Sequence, residues 1–348
     1  MLPEFSVQRA AERIELVSAD DGSSRALRRA LLEEIGRTVR FDAYAWLLTD
    51  PETEVGCDPV ADVPCMAHLP KLIRLKYATE VNRWTSMTSP AARLLDATGG
   101  NPAHSLIWRE LLAAYDVVDI ASVVFRDRFG CWGFLDLWRV RPAEPFTERE
   151  AEYLSAISSP VTEALRRVQA ETFHTADSPE VPGGPVVLVL SHDLSVKAQT
   201  PETEAYLRAL VPPTSDRQPI PAGAYNVGAQ LRAKEDGVDS HPPRARVHLG
   251  QGVWLTLRAA RILQSDNEIA VTLETTSTND RMTLFGLAHG LTTREAQILA
   301  ACARGMDTRA VAQELFVSEN TVQDHFKAIF TKTRTRTRGG LLAIARGH

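Results

Sequence analysis

The feature that most constrains the fold of this chain is a pair of short amphipathic helices near its C-terminus, separated only by Val317 and Ser318. The first helix is predicted to begin at Asp307 and the second at Ser318, because short side chains with an oxygen acceptor suit the N-cap position. Two helices joined by so short a turn must cross steeply, which is the helix-turn-helix geometry. The chain is therefore predicted to carry a small all-α module at this end.

The second helix of the pair, predicted from about Glu319 to Lys332, has one apolar and one polar side. Helical spacing puts these residues inside: Val322, Phe326, Ile329 and Phe330. The same spacing puts these outside: Asn320, Gln323, Asp324, Lys327 and Thr331. Gln suits adenine, Lys suits guanine and Asp can accept from cytosine. On its own the pattern fits a DNA-reading helix and an ordinary amphipathic helix with a solvated polar face equally well.

The helix before the pair favours the DNA-reading interpretation. Thr292 and Glu295 form a capping box, and Gly305 supplies the left-handed residue that commonly ends a helix. The helix caps of the module are thus predicted at Thr292, Asp307 and Ser318. A fourth short helix follows and ends near Arg346.

A resemblance to a known family is carried by three stretches: LTTREAQILAACARG from Leu291, DTRAVAQELFVSENTVQDHFKAIFTK from Asp307, and RTRTR from Arg334. They resemble the LuxR-type (GerE-like) helix-turn-helix domain of bacterial transcription regulators. The matching positions are Leu291, Thr292, Arg294, Glu295, Gly305, Ala312, Leu315, Ser318, Thr321, Val322, His325, Ile329, Lys332 and Arg338. The resemblance covers about a sixth of the chain. It implies that Gln323, Asp324 and Lys327 face the major groove, while Thr321, His325 and Lys332 seat the helix on phosphate.

Two departures from the family pattern bear on which operator is bound. Gln323 stands where the family usually has Lys, which exchanges a guanine or phosphate contact for one that prefers adenine. Thr333 and Arg334 stand where the family usually has Leu-Gly. A side chain at the Gly position costs about 1 kcal/mol if the left-handed turn is kept.

Charge separates the same segment from the rest of the chain. From Arg281 to His348 there are ten Lys or Arg against five Asp or Glu, a formal charge of +5. Since the whole chain carries −5, residues 1–280 carry −10. Arg334, Arg336 and Arg338 alternate with Thr and are predicted to contact backbone phosphates. The alternative is a solvated basic tail.

Length and composition place the chain among multidomain proteins that bind no membrane. Its 348 residues allow two or three domains, and no apolar run approaches the roughly 20 residues that span a bilayer. The first residues lack an unbroken apolar core, so we expect no signal peptide and a cytoplasmic location.

The four cysteines, Cys57, Cys65, Cys131 and Cys302, are too scattered to predict a disulfide framework. Cys57 and Cys65 lie near His68 and leave a metal or redox site as an alternative, but no second cluster completes four ligands. We expect no metal, no cofactor and, because no Ser/His/Asp or Cys/His set and no phosphate-binding glycine loop is present, no catalytic residues and no enzyme activity.

A β-hairpin is the clearest signal in the first half of the chain. IASVVF from Ile120 and CWGFLDLWRV from Cys131 are predicted strands with apolar residues on both faces. Thr147 and Glu150 form a second capping box and start a long helix. A helix over residues 23–38 and a strand from Ala43 precede the hairpin.

This arrangement is similar to GAF sensor domains from about Arg25 to Val168. The resemblance implies a six-stranded antiparallel sheet covered by helices, a small-molecule pocket and a terminal helix that pairs between subunits. The seam of that pairing is predicted at Leu154, Ile157, Val161 and Val168. Trp84, Trp108 and Tyr44 are the candidate pocket residues. The alternative is that each is core.

The region from residue 186 resembles a compact PAS-like domain. The pattern predicts a β-β-α unit from VVLVL at Val186 to a helix ending at Leu210, followed by three strands: RARVHL, VWLTLRAARIL and EIAVTLET. Residues 212–243, rich in Pro and Gly, fit no regular element, and no internal repeat is visible. A docking layer without ligand is the alternative to a second sensor.

The predicted fold class is α+β multidomain. The predicted domains are an N-terminal extension 1–22, a GAF-like sensor and dimerisation domain 23–170, a linker 171–185, a PAS-like domain 186–276, a linker 277–290 and a helix-turn-helix domain 291–348. An acidic pair at Asp20 and Asp21, followed by Asp50, superficially resembles a phosphorylated receiver domain. Only about thirty residues separate the two sites, which is too few for the helix and strand that should intervene.

Two classes of function follow from this organisation. In the first, the protein is a transcription regulator whose first domain binds a small-molecule effector and controls how a homodimer binds double-stranded operator DNA, with RNA polymerase as a further partner. In the second, it is a regulator controlled by phosphorylation or by a protein partner, or an adaptor, with no small-molecule ligand. Only the first predicts both salt-dependent DNA affinity and an occupied sensor pocket.

Overall fold

The computed structural model describes residues 4–18, 23–174, 186–210, 221–250, 252–264 and 267–347. The chain divides into two compact units. The first comprises Met1–Leu165, Glu180–Val247 and Leu255–Glu274, and the second comprises Arg166–Pro179, His248–Trp254 and Thr275–His348. No helix among the described residues is long and apolar enough to cross a membrane.

The first half of the chain folds around a five-stranded sheet with strand order β2-β1-β5-β4-β3, in which all neighbours are antiparallel. Its elements are α1 (Glu4–Ser18), α2 (Ser24–Thr38), β1 (Ala43–Thr49), β2 (Gly56–Asp62), α3 (Leu69–Ala78), β3 (Ala91–Arg93), α4 (Leu94–Ala97), α5 (Leu106–Glu110), β4 (Val117–Asp127), β5 (Gly130–Val140) and α6 (Glu148–Glu171). The expected sixth strand is absent from the described residues, because the segment between α3 and β4 folds mainly into short helices. Helix α1 lies in what was predicted to be an extension.

The predicted hairpin is confirmed as β4 and β5. Most residues of both strands are buried, so the sheet is covered on both faces. The predicted capping box is also present: the Thr147 amide donates to Glu150 Oε2 at 2.8 Å, and the Glu150 amide donates to Thr147 Oγ1 at 3.3 Å. It starts α6, as the sequence predicts.

The four residues of α6 that were predicted to form a dimer seam are buried within the chain, so this prediction is wrong. Leu154 and Val161 have no exposed surface, Ile157 is 1% exposed and Val168 is 6% exposed within the single chain. Side chains that already pack inside one chain cannot also form the surface for a second subunit. The narrow apolar stripe of α6 is part of the core.

The region from Val186 to Thr275 forms a second five-stranded sheet with order β7-β6-β10-β9-β8. Its elements are β6 (Val186–Leu190), β7 (Val196–Gln199), α7 (Thr203–Leu210), α8 (Ala222–Glu235), β8 (Arg244–Gly250), β9 (Val253–Arg261) and β10 (Ile269–Thr275). The predicted strands and α7 are confirmed. When the strands are numbered separately within each sheet, the two sheets have the same strand order. The amino-acid sequence shows no internal repeat, but the two sheets repeat one topology.

Helix α8 was missed, since residues 212–243 were expected to be irregular. Nine of its fourteen residues are buried. A helix buried on most sides lacks the polar stripe by which an amphipathic helix is recognised. Residues 211–220 of the same stretch lie outside the described residues.

Buried charges tie the two sheets together within the first unit. The Asp50 carboxylate accepts from Arg246 Nε and Nη2, each at 2.7 Å, and both side chains are fully buried. Arg83 reaches the Asp239 carboxylate at 3.0 Å and Gln230 Oε1 at 3.1 Å. Because the Asp50 carboxylate is buried in this ion pair, it is not exposed as the phosphate-accepting aspartate of a receiver domain would be.

The C-terminal part of the second unit consists of α9 (Thr278–Ala288), α10 (Thr293–Ala303), α11 (Thr308–Glu314), α12 (Glu319–Thr333) and α13 (Arg338–Arg346). The four helices predicted from Leu291 onward are confirmed. Helix α9 occupies most of the predicted linker 277–290. Of the other predicted linker, 171–185, residues 175–185 lie outside the described residues.

Candidate functional site

Side-chain caps start each of the helices α10, α11 and α12. The Thr292–Glu295 capping box has both of its hydrogen bonds, at 3.3 Å to Thr292 Oγ1 and 2.7 Å to Glu295 Oε2. Asp307 Oδ1 accepts from the Ala310 amide at 2.8 Å. Ser318 Oγ accepts from the Thr321 amide at 3.1 Å. All three predicted caps are therefore present, and they fix where each helix begins.

Left-handed residues end the same three helices. They are Gly305 (φ 84°), Phe316 (φ 55°) and Arg334 (φ 52°). At each, the amide of the following residue donates to a carbonyl five residues back, for example Val317 to Ala312 at 3.0 Å and Thr335 to Phe330 at 3.1 Å. This is the Schellman pattern, which usually has Gly at the left-handed position.

The turn between α11 and α12 is longer than the sequence suggested. Helix α11 ends at Glu314, so four residues, Leu315 to Ser318, separate the helices where two were predicted. The two additional residues belong to the Schellman turn at Phe316. Its side chain is 94% exposed, a feature that the sequence analysis did not single out.

The inner side of α12 anchors the helix in the small core of the module. Val322 and Ile329 have no exposed surface and Phe326 is 4% exposed, as predicted, while Phe330 is only partly buried. The Arg338 guanidinium lies 4.0 Å from the centre of the Phe326 ring. The orientation of α12 is thus fixed by packing on one side only.

The outer side of α12 is exposed along its length. It carries Asn320, Gln323, Asp324, Lys327 and Thr331. Lys327 Nζ lies 2.9 Å from Asp324 Oδ1, and this hydrogen bond is the first cause of the lowered pKa of Asp324. These groups can donate to and accept from base edges. Thr321 is also exposed and His325 is half-buried.

Two predicted phosphate contacts, Lys332 and Arg338, are engaged within the protein. Lys332 Nζ donates to Glu295 Oε2 at 2.7 Å and to the Gly290 carbonyl at 3.1 Å, which joins α12 to the start of α10. Burial, the largest single cause, raises the pKa of Glu295, but the hydrogen bonds from Lys332 and Thr292 and the charge of Lys332 together outweigh it, and the pKa is lowered. Arg338 Nη2 donates to Thr308 Oγ1 at 2.6 Å. Their contact with DNA stays a prediction and would compete with these bonds.

The other two arginines of the basic stretch are exposed. Arg334 Nη1 lies 2.8 Å from Glu171 Oε1, and both side chains are largely solvated. Arg336 is exposed, and within the described part of the chain it has no ion-pair partner. Such a guanidinium can meet a phosphate without losing an internal contact.

The three residues predicted to line an effector pocket are not among the residues that line a cavity on the first sheet. Trp84 is stacked on Phe134 at 4.3 Å and its indole donates to the Glu54 carbonyl at 2.8 Å. Trp108 donates to the Val117 carbonyl at 2.8 Å, and Tyr44 packs edge-on against Phe41. Their part in effector binding stays a prediction.

A cavity of about 190 Å³ lies on the first sheet, between its strands and α3, with one wall from α8. Its lining is mostly apolar and includes Leu47, Leu72, Phe134 and Trp138. Polar groups enter at few points, among them Asn226 of α8. The sequence analysis missed Asn226 because it did not predict α8.

The four cysteines are buried and carry free thiols. Burial raises the pKa of Cys65 and of Cys131 to about 11, and that of Cys57 well above its ordinary value. These thiols are therefore protonated near neutral pH. Across the described residues, no group of three or more His, Cys, Asp or Glu is placed to hold a metal ion.

Comparisons with known proteins agree with the geometry of the C-terminal module. Residues 289–345 match the family model of bacterial regulatory proteins of the luxR family. A curated relative, an uncharacterised transcriptional regulatory protein (YxjL) of Bacillus subtilis (strain 168), is 30% identical over 130 residues, which are 37% of this chain and 54% of the relative. The chain thus spans about half the length of the curated relative that it matches.

Two solved structures show weak overall similarity. SdiA in complex with octanoyl-rac-glycerol matches at 11% identity and a TM-score of 0.34, covering 99% of this chain and 96% of SdiA. The bacteriophytochrome RpBphP3 from the photosynthetic bacterium R. palustris matches at 12% identity and a TM-score of 0.31, covering 78% of this chain and 62% of the other. The family model and the capped helices α10 to α13 together identify the C-terminal domain of this chain as a helix-turn-helix domain of the luxR family of bacterial regulatory proteins.

Proposed function

We propose that the chain is a DNA-binding transcription regulator in which α12 is the recognition helix. The observation that carries this proposal is the two-sided build of α12. Val322, Phe326 and Ile329 lock one side into the module, while the opposite side presents Asn320, Gln323, Asp324 and Lys327 to solvent. A helix held in this way can enter the major groove without rearrangement of its core.

In this proposal Lys327 contacts a base edge. Its ion pair with Asp324 is exposed on both sides, at 77% and 72%, so the pair adds little stability and is easily exchanged for contacts to DNA. Lys suits guanine and Asp suits cytosine, so the two together favour a G·C pair. Gln323 would contact a neighbouring adenine.

Arg336 has the complementary role of contacting a backbone phosphate, together with Thr321 and His325. Arg336 is exposed and free of internal ion pairs among the described residues. A phosphate contact fixes the register of the helix on the duplex but carries no sequence information. We therefore expect Lys327 to determine which sequence is preferred and Arg336 to contribute to the affinity for every sequence.

Effector control and dimerisation belong to the same proposal. One recognition helix contacts only a few base pairs, and two helices one DNA turn apart multiply the discrimination. We propose a homodimer that binds a two-fold operator, with a surface other than the buried stripe of α6. A small molecule in the cavity of the first sheet would control it, and RNA polymerase would be a further partner.

The test compares three variants of the full chain on duplexes selected from a random library. We expect Lys327→Ala to relax sequence preference at one defined position, at a cost of about 1–3 kcal/mol for the preferred base pair. We expect Arg336→Ala to weaken binding to all sequences alike and to lower the salt slope by about one. Arg208→Ala, at a partly exposed position of α7, is the control and should change neither quantity.

If Lys327→Ala and Arg336→Ala lowered the affinity for all DNA sequences by the same factor, this result would contradict the groove contact of Lys327. Retention of full affinity by both variants would contradict the use of this face of α12 altogether.

A further inference from the structure

The cavity on the first sheet holds an unusual number of buried polar atoms without a hydrogen-bond partner among the described residues. Five of the residues that line it contribute such atoms: Thr79 Oγ1, Asn82 Nδ2, Ser105 Oγ, Trp138 Nε1 and both amide atoms of Asn226. Asn226 is 1% exposed and Ser105 has no exposed surface. Several unsatisfied groups therefore lie around this one cavity.

Buried polar groups of this kind are uncommon because each loses its hydrogen bonds to water without replacement. Asn226 is the extreme case, since neither its donor nor its acceptor is used. An unsatisfied amide in the interior lowers the stability of the fold. A ligand that binds in the adjacent cavity would explain why this amide is present. A molecule in the cavity can supply the missing partners.

The position of Asn226 on α8 directs it to the cavity. Ala222 and Asn226 are one helical turn apart and both line the cavity, so they share a face of α8. Gly228 lies on the opposite face, where an added Cβ would come within 3.2 Å of Leu190 Cδ1 in β6. Helix α8 thus packs on the second sheet with one face and closes the cavity of the first sheet with the other.

The charges at the cavity wall cancel. Lys76 Nζ lies 2.7 Å from Asp136 Oδ2, and Asp136 Oδ1 accepts from Ser122 Oγ at 2.7 Å. Lys76 also lies 5.6 Å from the centre of the Phe134 ring. A charged ligand would lose its hydration without gaining an unpaired counter-charge, so the lining favours a neutral molecule.

We propose that Asn226 is the hydrogen-bonding anchor for a small neutral ligand with an apolar body and an amide-like group that both donates and accepts. The cavity of about 190 Å³ is somewhat larger than an apolar protein cavity of about 150 Å³ that binds one benzene ring, which limits the apolar body to a short chain or a single ring. This inference rests on the proposed sensor role of the first sheet. It adds that the bound molecule joins that sheet to α8 of the second.

The experiment uses the full chain without DNA and three probes of equal chain length: hexanamide, methyl hexanoate and hexanoate. Hexanamide donates and accepts, methyl hexanoate only accepts, and hexanoate is charged. Intrinsic fluorescence reports binding, because Trp138 lines the cavity. The variants are Asn226→Ala and, as the matched control on the same helix, Gln230→Ala. The Gln230 amide is fully engaged, with Arg83, Asp239 and the His241 carbonyl.

We expect saturable binding of hexanamide to the wild type, with about tenfold weaker binding of the other two probes, the factor that one hydrogen bond supplies. Asn226→Ala should abolish that preference and leave or raise the thermal midpoint of the unliganded chain, because an unsatisfied amide is removed. Gln230→Ala should lower the midpoint and keep the preference.

Three results would overturn the proposal: no saturable binding of any probe, an undiminished preference for hexanamide in Asn226→Ala, or a fall in the midpoint of the unliganded Asn226→Ala equal to that of Gln230→Ala. Because DNA is absent, a failure of DNA binding leaves this result intact. A separate measurement of DNA affinity with and without hexanamide tests effector control: if bound hexanamide leaves the DNA affinity unchanged, the site is retained and effector control is contradicted.

Discussion

At the scale of the residue, the departure from the family pattern at Arg334 has a visible backbone consequence. The sequence predicted a cost if the left-handed turn were kept without Gly, and φ of 52° at Arg334 shows that it is kept. Helix α10 ends in the same kind of turn but with Gly305, so the module contains both versions side by side. The ion pair of Arg334 with Glu171 is too exposed to offset the strain by much.

We therefore expect Arg334→Gly to raise the free energy of unfolding by about 1 kcal/mol, because Gly adopts a positive φ without the clash of a Cβ. The converse change, Gly305→Ala, should lower it by about the same amount. Urea denaturation of the full chain, followed by circular dichroism, measures both. A destabilised Arg334→Gly would mean that the side chain holds a contact worth more than the strain.

At the scale of the element, α9 ends in a buried histidine that ties it to the segment after α6. His289 Nδ1 bonds to the Phe285 carbonyl at 2.9 Å, and His289 Nε2 lies 3.2 Å from His174 Nε2. Burial, followed by the neighbouring charges of His174, Arg334 and Arg166, lowers the pKa of His289 to about 4. The helix end is thus built for a neutral imidazole.

The unfolded chain binds a proton at this histidine near pH 6.5, whereas the folded chain does not until about pH 4. Stability from this site is complete above pH 6.5 and is lost as the pH falls toward 4. From the two pKa values we expect a loss of about 2 kcal/mol between pH 7.5 and pH 5. His289→Gln should remove that part of the pH dependence, as measured by denaturant unfolding at the two pH values. An unchanged pH profile in the variant would contradict the assignment.

Elements with a one-sided pattern were predictable from the sequence, and elements without one were not. The hairpin β4–β5, the capping boxes at Thr147 and Thr292, and the inner side of α12 follow from local spacing and are confirmed. Helix α8 is buried on most sides and shows no stripe, so it was missed. The stripe of α6 was visible, but spacing alone does not say whether it faces a second subunit or the chain's own core.

At the scale of the whole molecule, the chain joins an acidic body to a basic module. The body carries −10 over residues 1–280 and the module from Arg281 carries +5. The exposed side of α12 was predictable because it depends on helical periodicity. The position of Asn226 at the cavity was not, because it depends on how α8 packs over the first sheet. The ion pair of Lys332 with Glu295 and the hydrogen bond of Arg338 to Thr308 were not predictable either, because the partners are distant in sequence.

The most direct test of the account is the affinity of the full chain for a selected duplex as a function of salt concentration. If cations around α12 replace counterions on the DNA, the logarithm of the association constant should fall linearly with the logarithm of salt, by about 0.9 for each neutralised phosphate. We expect a slope steeper than about −2, together with weaker binding to unselected duplex. A slope near zero, or equal affinity for selected and unselected duplexes, would contradict the proposal that this chain binds DNA through α12.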